Sequence, residues 1–294
     1  MPNVTITSPP IHRVGAAITM TAQSDALLAE ASRFAERLGA PLTLIHTGTS
    51  KAESQTFLQD AAARLAIPHE KHIVWNQTEP SEALASAAEK AGVDLLVVGA
   101  FEGPALGRRR FLGSVPQRLA DRAQCSLLLV AHPRLDAHKF RRIVVITDFS
   151  DCSKVACEHA LWLAQQDAVE CLHIISIHTV FMEARAQAGL QDGRPARTRA
   201  EEEQLMQDFL ASLPDCDVPV DWHIVHATTG FAACDFADSV GADLLVLPGH
   251  NRPGGRVPQM ANWALQVVPC SLWIVHCGPP WNGPGSSSPA SARV

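Results

Sequence analysis

Short runs of Val, Ile and Leu punctuate this chain, and between them apolar residues return every third or fourth position. Gly15–Thr21 predicts a first strand. Leu27, Leu28, Ala31, Phe34, Ala35 and Leu38 then recur at helical spacing, which predicts a helix over Ser24–Leu38 with Ser24 as its cap and Gly39 as its stop. The alternation continues with strand Leu42–His46, helix Ser50–Leu65, strand His69–Trp75, helix Pro80–Ala91, strand Asp94–Val98, helix Ser114–Ala123 and strand Ser126–Ala131. A second series has strands at Arg142–Thr147, Glu170–His178, Val218–His226, Asp243–Leu247 and Ser271–His276. Its helices run from Ser150 or Ser153 to Ala164, then Thr198–Leu213, Gly230–Val240 and Gln259–Val267. Strands without polar alternation are buried on both faces, so the pattern predicts an α/β fold with parallel sheets and helices on both sides. Residues 180–200 read as a long polar connection, mobile or a lid.

The two series are copies of one unit. VDLLVV at 93–98 returns as ADLLVL at 242–247, and CSLLLVAH at 125–132 returns as CSLWIVHC at 270–277. Internal repetition on this scale divides the chain into a first domain at 1–133, a linker at 134–141, a second domain at 142–277 and a tail at 278–294. The tail is too poor in apolar residues to fold and is expected to be disordered.

Composition narrows the function. Apolar residues make up 47% of the 294, enough for two cores, and the net charge of −6 speaks against a nucleic-acid surface. No basic-then-apolar leader and no membrane-length apolar run are present, so a cytoplasmic protein without membrane insertion is expected. In that compartment the eight cysteines are expected as free thiols, with Cys152 and Cys157 the first pair to examine for an exception.

The stretch GAFEGPALGRRRFLGSV, 99–115, lies between a buried strand and a helix start. Glycines let backbone approach a phosphate, and the first helical N–H groups favour an anion there. Nine residues separate Gly103 from the pair Gly113-Ser114, and Ser114 is placed to cap the helix or to offer its hydroxyl. Arg108, Arg109 and Arg110 either pair with phosphate charge or simply solvate the loop. Asp148 either contacts a ligand or starts the turn into the next helix, and the turn is favoured. The second domain concentrates Cys and His, with Cys171 and His173 on one face of a strand. No CxxC or HExxH spacing appears, so no metal site is assigned. No nucleophile elbow, Walker motif or paired Rossmann glycines appear, so no catalytic residue is assigned.

Val144-Val-Ile-Thr-Asp-Phe-Ser, the repeated DLLVV strands, Gly103-(nine)-Gly113-Ser114 and the closing Cys-Ser-Leu strands together resemble the universal stress protein family. The resemblance implies, for each domain, a doubly wound five-stranded parallel sheet of order 3-2-1-4-5, paired with its twin through the last strand as an internal pseudo-dimer. In one subgroup of that family ATP binds a loop of pattern Gly-(two)-Gly-(nine)-Gly-Ser/Thr, with an Asp ending strand 1. Here the first loop glycine is replaced by Ala100, and Thr21 is the nearest polar candidate for the Asp. The second domain keeps Asp148 and Gly249 but carries Arg252, Pro258 and Gln259 in a shorter loop. The resemblance therefore implies a stress-response protein that binds ATP, with or without magnesium, in the first domain through Thr21, Ala100, Gly103, Gly113, Ser114 and Val115. That role is regulatory and not catalytic. The alternatives are a nucleotide-free scaffold or small-molecule carrier of the same fold and, less favoured, a slow ATP hydrolase. Partners are expected to be adenine nucleotide and a second copy or another protein.

Overall fold

A computed structural model describes residues 6–21, 23–48, 51–67, 70–75, 79–100, 112–189, 196–228, 231–249 and 259–277. The first half comprises β1 (Val14–Ala17), α1 (Ser24–Leu38), β2 (Leu42–Gly48), α2 (Lys51–Arg64), β3 (Glu70–Trp75), α3 (Pro80–Lys90), β4 (Leu95–Gly99), α4 (Ser114–Arg122) and β5 (Ser126–Val130). The second half opens with β6 (Arg142–Ile146), α5 (Asp151–Asp167), β7 (Cys171–Thr179), α6 (Val180–Gln187) and α7 (Arg199–Ala211). It closes with β8 (Val220–Ala227), α8 (Ala232–Ser239), β9 (Leu244–Pro248), α9 (Gln259–Gln266) and β10 (Ser271–Val275).

All ten strands join one sheet of order β3-β2-β1-β4-β5-β10-β9-β6-β7-β8. Each half thus has the order 3-2-1-4-5, parallel throughout, and the halves meet where β5 runs antiparallel to β10. At that seam Trp273 pairs with Leu128. The seam is closed reciprocally: Ser271 Oγ accepts the Ala131 N–H at 3.1 Å, and Ser126 Oγ accepts the His276 N–H at 3.0 Å. These two bonds are one bond repeated by the pseudo-two-fold axis.

The strands with unbroken apolar runs, β1, β4, β5, β6, β9 and β10, are buried on both faces, whereas the edge strand β8 is largely exposed, with Val220 and Trp222 open to solvent. One face carries α1 and α5, with Leu28, Phe34, Ala160 and Leu163 in its core, and the other carries α3, α4 and α8, with Leu84, Leu119 and Ala237. Trp273 is fully buried on the first face, against Phe34 edge-on at 5.9 Å and His159 stacked at 5.6 Å. The aspartate of the repeated DLLV motif has a structural use. Asp94 accepts the N–H groups of His12 and Arg13, and Asp243 accepts those of Arg141 and Arg142, each pair at 2.7 and 3.0 Å. The fourth strand of each unit is thereby locked to the start of the first.

Local hydrogen bonds depart from the sequence pattern in two segments. The first strand ends at Ala17 rather than Thr21, because the hydroxyl of Ser24 bonds the carbonyls of Thr19 and Thr21 and folds that segment into a turn. Residues 180–200 are not one polar connection. Thr179 accepts the Met182 N–H and starts α6, and Thr198 with Glu201 forms a reciprocal cap on α7. The tail at 278–294 lies outside the described residues, among which no helix is long and apolar enough to cross a membrane.

Candidate functional site

In a sheet of this winding, ligands sit beyond the carboxyl ends of the strands, where the strand order reverses. The fold offers two such points, between β1 and β4 and between β6 and β9. Their hydrogen bonds superimpose. Ile18 donates its N–H to the Ile45 carbonyl and Thr147 donates to Ile175; Ala100 donates to Val130 and Gly249 donates to Val275. By this register Thr19 holds the place of Asp148, and Ala100 that of Gly249. Thr21 lies two residues further on and holds the place of Ser150. The signal for Thr19 is a constant offset of 129 residues from Ile18 through Ser24, which aligns Ser24 with Ser153.

In the first half, the register Ala17↔Val98 carries Thr19 to the same end of the sheet as Gly99 and Ala100. Gly113 donates its N–H to the Ala100 carbonyl at 3.0 Å, so the loop leaves and re-enters at one point. Ala100, Gly113, Ser114 and Val115 are thus brought together. Gly103 and Arg108–Arg110 lie outside the described residues. Gly113, not Ser114, is the N-cap of α4; its backbone is extended and it has no side chain to offer. Ser114 is the first helical residue and is exposed, with Val115 half-buried beside it. Pro116 has no N–H, so the donors at this helix start are the amides of Ser114 and Val115. Thr21 is exposed. Its N–H donates to Ser24 Oγ at 3.0 Å, and its hydroxyl lies 3.3 Å from that of Thr19. Beneath the turn, the buried His46 holds the Ile18 carbonyl through Nδ1 at 2.7 Å.

In the second half, polar and aromatic side chains gather after β6. Asp148 accepts the N–H and hydroxyl of Ser150, while Ser150 caps α5 by accepting the Ser153 N–H. Phe149 is held at φ +66° with its N–H on Thr147 Oγ1. Its ring meets Phe209 at 5.8 Å and the Arg197 guanidinium at 5.4 Å. Arg197 pairs at 3.5 Å with the buried Glu202, and His178 lies between Glu202 and Glu183. The His178 imidazole holds Glu183 below the usual carboxylate range. A Cβ on Gly249 would lie 2.7 Å from the Val275 carbonyl oxygen, so this position requires glycine, whereas Ala100 fits at its counterpart. Arg252 and Pro258 lie outside the described residues.

A disulfide joins Cys152, the second residue of α5, to Cys277 just beyond β10, with Cα atoms 5.4 Å apart. This overturns the expectation of eight free thiols. Cys157, the partner first suspected for Cys152, is free and buried in the core. The two bonded residues are 125 positions apart, and only the return of β10 to the sheet centre brings them together. Their counterparts in the first half are Gln23 and His132, so the cross-link is confined to the second half.

The model of the Universal stress protein family matches residues 47–131 and 139–276. Among solved structures, a functionally unknown protein from Pseudomonas aeruginosa PAO1 superimposes with a TM-score of 0.70 at 16% identity, over 92% of this chain and 94% of that one. A universal stress protein from Archaeoglobus fulgidus DSM 4304 gives 0.59 at 14% identity, over 90% and 97%. At these identities the likeness is one of fold. No curated protein matches this chain.

Proposed function

This chain belongs to the universal stress protein family, and from that premise we propose that its first half binds ATP, with magnesium, as a regulatory ligand of a cytoplasmic stress-response protein. The observation that carries this reading is the foot of α4. There Gly113 is tied to the Ala100 carbonyl, and the Ser114 and Val115 amides lead the helix without a side-chain cap. Two forward N–H groups and the helix dipole suit a phosphate, and the exposed Ser114 hydroxyl adds a third donor. Gly103 completes the loop pattern in the sequence, and Thr19 and Thr21 offer hydroxyls at the same end of the sheet as Ala100. Nothing in this group is a nucleophile activated by a base, so binding rather than turnover is its proposed role.

A second reading is a nucleotide-free scaffold or small-molecule carrier. It is favoured by one observation: a neutral Thr19 stands where the second half has Asp148. Calorimetric titration with magnesium and ATP decides between the two. One site per chain supports the first reading, and no heat with wild-type protein supports the second. Release of phosphate from added ATP above the buffer rate would establish a slow hydrolase instead.

A further inference from the structure

The amino-terminal ends of β7 and β8 lie at the pole of the sheet opposite the cleft. Their register pairs His173 with Asp221 and Ile175 with His223. Strand alternation puts Cys171 and His173 of β7 and Asp221 and His223 of β8 on one face, the face covered by α8. His223 Nε2 lies 3.0 Å from Asp221 Oδ2, and His173 Nδ1 lies 3.9 Å from the same oxygen. The Cys171 sulfur lies 3.9 Å from His173 Nδ1. One donor atom from each of His173, Asp221 and His223 fits within 4.8 Å. Phe236 of α8 walls the pair of imidazoles, 5.7 Å from His173 and 4.9 Å from His223, and the imidazoles lie 5.7 Å apart. His223 Nε2 is shut from solvent and makes no hydrogen bond, although the carboxylate oxygen is near. A buried nitrogen close to an oxygen but misaligned with it is the arrangement a shared cation would leave. Arg142, the nearby competing cation, is engaged by Glu170 at 3.3 Å and by the Val240 carbonyl at 3.3 Å.

We propose that His173, Asp221 and His223 hold zinc or a like divalent ion, and that Cys171, whose sulfur lies 3.9 Å from His173 Nδ1, moves in to complete a four-coordinate site. One thiolate, two imidazoles and one carboxylate are the donors zinc takes, and their two negative charges cancel those of the ion. All four stand on adjacent strands, so the ion would clamp the edge strand β8 to β7. The sequence showed half of this set, Cys171-x-His173. Asp221-x-His223 sits 50 residues later, and only the β7–β8 pairing joins them.

Cobalt(II) titration of chelator-treated full-length protein tests the assignment. The expected result is one ion per chain, with the visible bands of tetrahedral cobalt and a thiolate charge-transfer band. Cys171→Ser should abolish the charge-transfer band. His223→Gln should weaken binding at least about tenfold, measured by zinc competition with a chromophoric chelator. Asp221 is more than half exposed, so Asp221→Asn provides a variant whose fold is not at risk, and it too should weaken binding. Circular dichroism confirms that each variant is folded. Absence of stoichiometric binding in wild type, binding unchanged in both His223→Gln and Asp221→Asn, or an octahedral spectrum without charge transfer would each overturn the four-ligand site.

Discussion

The two halves share a backbone plan and differ at its carboxyl pole. Ile18 and Thr147, Ser24 and Ser153, Ala100 and Gly249 occupy matching places in one repeated hydrogen-bond scheme. In the first half that scheme ends in an uncapped helix start and a loop tied at its foot. In the second half, Arg197 lies over Phe149 and pairs with Glu202, and a disulfide joins the start of α5 to the end of β10. The same divergence reaches the core. Glu30 and His159 stand at equivalent positions on α1 and α5. Glu30 is paired with Arg33 at 3.1 Å and accepts the Arg134 N–H, while His159 lies against Trp273 with Nδ1 unbonded. The sheet tolerates these differences because it asks only for apolar residues at alternating layers, whereas loops and helix starts are free to change their chemistry.

The largest effect is expected where the halves meet. Trp273→Ala removes a fully buried indole from the seam and should cost about 3–5 kcal/mol. If the halves are separable units, calorimetric melting should then show two transitions in place of one. A single unshifted melt would mean that the seam does not couple them.

Removing the cross-link that only the second half has should cost nearly as much. It closes a loop of 125 residues, so Cys152→Ser should lower stability by about 2–5 kcal/mol, read by denaturant midpoint without reductant. Thiol counting on denatured wild type should find six free thiols; eight would remove the disulfide.

Acid should act on the second half through His159. Burial pushes His159 down to about 4 from its usual 6.5. Above pH 6.5 it is neutral whether folded or unfolded. As pH falls towards 4 the unfolded chain takes up the proton first, so stability is lost across that window, by about 3 kcal/mol. His159→Phe should flatten this part of the stability–pH curve; an unchanged curve would place the loss elsewhere.

The smallest expected energies concern the cleft itself. Gly113→Glu brings a like charge to the helix start and should remove ATP binding. Asp148→Ala, whose carboxylate serves the Ser150 turn, should leave it within a factor of two. Loss of a single charge-assisted contact costs about 1.5–3 kcal/mol, one to two decades of affinity. Equal loss in both variants would show that the two halves are not distinguished in this way.

Much of the fold was legible because it is written locally. The runs DLLVV and DLLVL mark β4 and β9, Gly39 stops α1, and the repeat itself announces a second copy of the sheet. The candidate site was legible in part. Gly113, Ser114 and Val115 follow from a strand–loop–helix pattern, but the exchange of cap from Ser114 to Gly113 depends on backbone angles that spacing does not carry. The helix α6 escaped notice because its eight residues bury no side chain and so leave no apolar stripe.

By itself the sequence determined what depends on neighbours along the chain: strands from unbroken apolar runs, helices from a three-to-four spacing, and a tandem architecture from the repeat. The tertiary structure alone decided what depends on residues far apart. It set Cys152 against Cys277 across 125 positions, and put Asp221 and His223 beside Cys171 and His173. The physical reason is that strand pairing is fixed by burial of whole faces. Burial specifies which strands are adjacent, and adjacency then delivers polar partners that no local pattern names.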